Sequence, residues 1–241
     1  MSDDTSTRPV RVYVWQVPVR ITHWLIALSI VLLSITGFYI GRPFITVPGP
    51  AGDSFLMGWV KVIHGYTAYV FIAAVVARMI WMFTGNQYAR WYKFLPVHRT
   101  RQKGMLPIVA FYSFVRNRAP GYVGHNPLAG TTYVLVFGLY LLAIATGLFL
   151  RGATAPADSL LNWYASLAPL VVGLQTARWI HHAIMWLLLG FAVHHVYSAV
   201  LMALVEKNGI MDSIFTGYKW VPDRDLGPGP YRWLHHGELD E

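Results

Sequence analysis

Trp179-Ile180-His181-His182-Ala183-Ile184-Met185-Trp186-Leu187-Leu188-Leu189-Gly190-Phe191-Ala192-Val193-His194-His195-Val196-Tyr197 reads as an apolar helix that carries four histidines. The run is long enough to cross a bilayer, and a titratable side chain inside hydrocarbon costs a few kcal/mol, so each such histidine calls for a partner. Helix geometry separates them. Residues fourteen apart are rotated by about 1400°, roughly 40° short of four turns, and are about 21 Å apart along the axis. His181 and His195 therefore share one face at two depths. The thirteen-residue pairs, His181 with His194 and His182 with His195, miss a common face by roughly 140°, and His182 with His194 by about 120°.

Composition places this helix in a membrane protein. Charged residues make up 12% of the 241, about half the usual share for a globular domain, and 55% are hydrophobic. The chain contains no cysteine, which excludes iron–sulfur clusters held by this chain, covalent haem attachment, disulfides and thiol catalysis. Four spans are predicted, at about 19–40, 59–84, 127–150 and 177–205, within one transmembrane domain over 1–207, followed by a polar tail over 208–241. The expected fold is an all-α four-helix transmembrane bundle with short interfacial helices. No cleavable apolar segment precedes the first span, so no signal peptide is expected.

Charge sets the orientation. Between Gly85 and Asn126 lie Arg90, Lys93, Arg99, Arg101, Lys103, Arg116 and Arg118, with no acidic residue. The positive-inside rule puts this loop, and with four spans both termini, in the cytoplasm. Beside membrane spans such a basic loop contacts anionic lipid, and nucleic acid is not an expected partner. Leu106 to Val115 is too short to cross and is expected at the interface, as is Leu160 to Val172, which Asn162 and Pro169 interrupt. Asn126-Pro127 supplies an N-cap and a proline at the first turn of span three.

These depths sort the histidines. His23 opens span one from the cytoplasmic side and His64 opens span two from the outer side, giving two pairs: His64 with His181 outside, and His23 with His195 inside. Two neutral imidazoles facing across a bundle form the axial ligand set of a non-covalently held b-type haem. A closed zinc site needs four converging ligands, and the two pairs lie about 20 Å apart with no cysteine or carboxylate beside them. Any single histidine could instead be a core residue bonded to a carbonyl. Two haem b groups would bridge much of a roughly 30 Å core.

Arg78 lies fourteen residues after His64, on the same helix face at the inner depth, and either pairs with a haem propionate or snorkels to the headgroups. The same two readings apply to Arg20. His125 and Asn126, at the cytoplasmic mouth of span three, are candidate quinone contacts, with His125 a possible proton donor. Asn126 also serves as a cap. His182 and His194 are expected to bond nearby carbonyls or face a partner, and His98, His235 and His236 to be solvated. In span three, Gly138 and Gly147 are expected to allow close approach. A multi-pass transporter is the non-redox alternative, but neither repeat symmetry nor broken helices appear.

Several motifs in order resemble a known family. Pro18-Val19-Arg20-Ile21-Thr22-His23-Trp24, Thr36-Gly37-Phe38-Tyr39-Ile40-Gly41, Gly124-His125-Asn126-Pro127-Leu128-Ala129, His181-His182 with His195-Val196-Tyr197, and Gly217-Tyr218-Lys219 look like the b-type cytochrome subunit of membrane-bound nickel–iron uptake hydrogenases. The membrane subunits of formate dehydrogenases and the cytochromes b561 share the dihaem plan as more distant relatives, and are alternative assignments. The resemblance implies a cell inner membrane location in a respiratory chain. It also implies periplasmic hydrogenase large and small subunits as partners, with electrons passing from small-subunit iron–sulfur clusters through the cytochrome to membrane quinone. In such an H2:quinone oxidoreductase this chain is the electron-transfer subunit, and segments 160–172 and 41–58 would form its docking face.

Overall fold

The computed structural model describes residues 9–45, 55–95, 99–116 and 122–222. The centre of the 41–58 loop, Arg118, His98, His235 and His236 lie outside the described residues. In chain order the elements are β1 (Pro9–Tyr13), α1 (Val17–Gly41), α2 (Leu56–Thr84), a 3-10 turn (Trp91–Lys93), α3 (Arg99–Tyr112), α4 (Pro127–Gly152), α5 (Leu160–Ser166), α6 (Ala168–Val171), α7 (Leu174–Glu206), α8 (Ile210–Thr216) and β2 (Tyr218–Pro222).

Among the described residues, helices α1, α2, α4 and α7 are the four long and apolar enough to cross a membrane. Each begins and ends within about three residues of its predicted span. At 25 to 33 residues and about 1.5 Å rise they exceed a roughly 30 Å hydrocarbon core, so their ends project beyond it. At most 28% of the most apolar window of any of them is buried within the chain. Leu28, Val31, Ile35, Leu142, Leu187 and Val193 instead turn outward. So many apolar side chains turned outward on long apolar helices suit lipid rather than water. The predicted start of α4 is observed: Asn126 Oδ1 accepts from the Ala129 N–H at 2.8 Å, directly before Pro127.

The chain divides into two compact units, residues 22–77 with 136–193, and residues 1–21 with 78–135 and 194–241. In the first, Phe71 meets Tyr140 edge-on at 5.3 Å, and Tyr140 meets Phe137 at 5.4 Å. The segment after α4 folds back on it. Ser159 caps α5 by accepting from the Asn162 N–H, Phe149 stacks on Tyr164 at 4.3 Å, and Ala168 and Ala177 are fully buried beside them. The expected single interfacial helix over 160–172 is thus two short helices, with the break at Leu167, two residues before Pro169.

The second unit holds features that hydropathy does not announce. β1 and β2 pair antiparallel, with Pro9 opposite Pro222 and Tyr13 opposite Tyr218. Gly217 enters this sheet at φ 89°, and its carbonyl accepts from the N–H groups of Val14 and Trp15 at 2.8 and 3.1 Å. A Cβ there would lie 2.5 Å from the Tyr13 ring, so only glycine fits. Gln16 Oε1 accepts from Asn86 N–H and Trp81 Nε1–H at the end of α2, and Val14, Tyr88, Val123 and Val221 form a buried cluster. After α7, α8 and β2 follow to Pro222. The expected interfacial segment over 106–115 is the second half of the longer α3, which stops at Tyr112 just before Phe114 takes a positive φ of 59°.

Candidate functional site

In the unit of residues 22–77 and 136–193, α2 presents His64 and α7 presents His181. The two histidines lie close enough to interact electrostatically, and His182 interacts with both. Each is held by a buried threonine from another helix. Thr36 Oγ1 on α1 lies 2.8 Å from His64 Nδ1, and Thr146 Oγ1 on α4 lies 3.0 Å from His181 Nδ1. A glycine follows each threonine in sequence, and the ring rests against it: an ideal Cβ would lie 3.7 Å from His64 Cε1 at Gly37 and 3.1 Å from His181 Cε1 at Gly147. Gly147 thus makes the close approach expected of it, whereas a Cβ on Gly138 would meet no protein atom within 4 Å.

His182 behaves differently. Its Nδ1 sits 3.0 Å from the Arg178 carbonyl of its own helix, and its ring lies against Gly41. This is the carbonyl-bonded role expected for it. His194 lies 3.4 Å from Ser198 Oγ. His23 belongs to the same unit as His64 and packs edge-on against Trp24 at 5.2 Å. His195 belongs to the other unit, with an exposed side chain. Its pairing with His23 rests on the sequence argument alone.

The donor set fits a haem held by two axial imidazoles. His64 and His181 come from different helices, and among the described residues no three or more of His, Cys, Asp and Glu are grouped to hold a bare metal ion. Glycine beside each ring makes room for the imidazole itself.

The second unit gathers Arg78, Phe94, His125, Tyr133 and Trp15. The Arg78 guanidinium stands 5.3 Å from the Tyr133 ring centre and 5.9 Å from that of Phe94. It is 4% exposed, so it does not snorkel, and its Nη1 has no hydrogen-bond partner among the described residues. Among the described residues no anion is bonded to this buried cation on its aromatic faces. His125 lies among Trp15 at 4.8 Å, Phe94 at 5.3 Å and Tyr133 at 5.8 Å. Asn126 uses its Oδ1 on α4 and its side chain also bonds Tyr112. Arg20 donates to the Phe215 carbonyl at the end of α8.

Behind His125, Lys219 is 1% exposed and donates from Nζ to the carbonyls of Tyr122 and Val123, both at 3.3 Å. Burial pushes its pKa below the usual lysine value, partly offset by attraction to Glu206. Burial likewise raises the Tyr112 hydroxyl, against the hydrogen bond with Asn126. Thr146, Phe94 and Tyr133 were not singled out from sequence, and Thr36 and Lys219 entered only inside motifs that carry the resemblance. The available signal for the threonines was a Thr-Gly pair in each of two apolar spans.

A helical membrane fold that brings two histidines together from different helices is an arrangement that b-type membrane cytochromes use. Residues 14–217 match the family model described as prokaryotic cytochrome b561, and the chain belongs to that family. It is 37% identical over 220 residues to the "Probable Ni/Fe-hydrogenase B-type cytochrome subunit" of Rhizobium leguminosarum bv. viciae, covering 89% of this chain and 91% of that one. The protein of that description in Cupriavidus necator is 34% identical, with 88% of each chain covered. The "Probable Ni/Fe-hydrogenase 1 B-type cytochrome subunit" of Escherichia coli K12 is 30% identical, covering 89% of this chain and 93% of that one.

Proposed function

We propose that this chain is the membrane-anchoring dihaem cytochrome b of a nickel–iron hydrogenase, accepting electrons from the iron–sulfur chain of a periplasm-facing enzyme and delivering them to quinone in the cell inner membrane. The observation that carries the haem reading is the His64 and His181 pair, brought from two helices to one place and held by threonines from the other two. The printed names of the relatives support the hydrogenase partner. Bound haem supplies a one-electron iron couple.

The residues divide the remaining work. His64 and His181 hold one haem and His23 and His195 the other. Arg78, whose buried Nη1 has no hydrogen-bond partner among the described residues, would receive a propionate of the second, which offsets the cost of its buried charge. Arg20 already donates to a carbonyl and keeps a buried Nε for the same carboxylate. His125, in its aromatic surround, would donate a hydrogen bond to a quinone carbonyl, and an imidazole can pass a proton on. Asn126 contributes there by fixing the start of α4. Outward apolar side chains meet lipid.

The test is to extract the tagged protein from native membranes in mild detergent. Nickel–iron hydrogenase large and small subunits should co-purify by mass spectrometry, and H2 should reduce a b-type α-band. Formate dehydrogenase subunits in their place, or no α-band, would overturn the proposal.

A further inference from the structure

Thr36 and Thr146 do the same thing in two places. Each hydroxyl lies 2.7 Å from the carbonyl four residues earlier, that of Leu32 or Leu142, and 3.2 Å from the carbonyl three residues earlier. A hydroxyl has one hydrogen and a carbonyl has none, so that hydrogen goes to the helix backbone, the back-bonding habit of threonine in helices. The oxygen can then only accept from the third neighbour, and that neighbour is the Nδ1 of a histidine on another helix. Nδ1 must therefore carry the ring proton. In a neutral imidazole this leaves the lone pair on Nε2, at the far side of the ring from the threonine.

We propose that Thr36 and Thr146 are positioning residues that fix His64 and His181 as Nδ1–H tautomers and turn their Nε2 lone pairs to the haem iron, with Gly37 and Gly147 admitting the rings. The inference rests on the reading of these histidines as axial ligands. The two Thr-Gly pairs serve the two ligands separately: the pair on α1 orients the histidine of α2, and the pair on α4 orients that of α7. Both threonines are buried, at 6% and 5% exposure, so water does not compete for either bond. The acceptor is a neutral hydroxyl rather than a carboxylate, so it draws little proton density from the ring and leaves the ligand an imidazole rather than an imidazolate. Partners of this kind set both the orientation of a ligand and its basicity.

The test uses Thr36→Val and Thr146→Val, which keep shape and remove the acceptor, beside Thr36→Ser and Thr146→Ser, which restore a hydroxyl. The readouts on purified, membrane-inserted protein are haem retention, the low-spin EPR signature and the midpoint potential of each haem. The valine variants should alter the EPR signal and potential of one haem only and weaken its retention by about 10- to 100-fold. The serine variants should return towards wild type. Wild-type signals from both haems in the valine variants would overturn the proposal. His64→Ala and His181→Ala, run in parallel, separate this from the ligand reading: if either keeps both haems, the ligand assignment itself fails, whereas loss of one haem there with silent valine variants sinks only the role of the threonines.

Discussion

A Cβ placed on Gly147 would lie 3.1 Å from Cε1 of His181, while one on Gly37 would lie 3.7 Å from Cε1 of His64. At the first distance the half-buried ring must give way by a few tenths of an ångström, and the second is ordinary contact. Gly147→Ala should therefore displace His181, costing about 1–3 kcal/mol in overpacking, and lower haem content measured as α-band absorbance per polypeptide. Gly37→Ala should keep full haem content. Equal loss in both would show that ring clearance is not what separates the two sites.

Arg78 brings a positive charge to a buried place where, among the described residues, no group is hydrogen-bonded to its Nη1. If it neutralises a propionate, Arg78→Gln removes a positive charge that both holds the carboxylate and favours the less positive, reduced iron. One haem should be retained more weakly, and its potential should move while the other stays put. A redox titration in which both haems titrate as in wild type would remove Arg78 from the site.

Lys219 gives a pH dependence with a definite sign. Its folded pKa is depressed below 10.5 by burial, so across the window between the two values the unfolded chain binds more protons and stability rises with pH. The penalty is fully present below the folded pKa and disappears as pH passes 10.5. Thermal unfolding in detergent at pH 7 and pH 10 should show this rise for the wild type and less of it for Lys219→Met. An identical pH response in the variant would assign the rise to other groups.

Gly217→Ala asks a non-glycine residue to take φ 89° against the Tyr13 ring and the Trp15 carbonyl. It should cost about 1–3 kcal/mol. Limited proteolysis should then cut near residues 9–16 or 218–222 sooner, while the haem spectrum stays unchanged. Unaltered protease resistance would argue against the β1/β2 pairing as a stabilising element.

The four spans were readable because membrane helices must be long and apolar, a constraint confined to each segment. His64 and His181 were readable because a histidine in such a segment is anomalous. Thr36 and Thr146 were not, since a threonine in a span ordinarily bonds its own helix, and its second bond to a histidine is visible only once two helices meet. β1 and β2 were hidden for a related reason: each is five residues long, and they lie at opposite ends of the chain. Such non-local pairs leave no periodic signature. The motif Gly217-Tyr218-Lys219 pointed at this region through resemblance, and its physical content is a turn, a strand pair and a buried ammonium.

The most direct test of the central claim is haem stoichiometry by pyridine haemochrome on the purified chain, set against protein by amino-acid analysis. Two haem b per polypeptide, falling to one in His195→Ala and to one in His181→Ala, is the predicted result. One haem or none in the wild type, or loss of both on removing either histidine, would contradict the assignment of two separate axial pairs along α7.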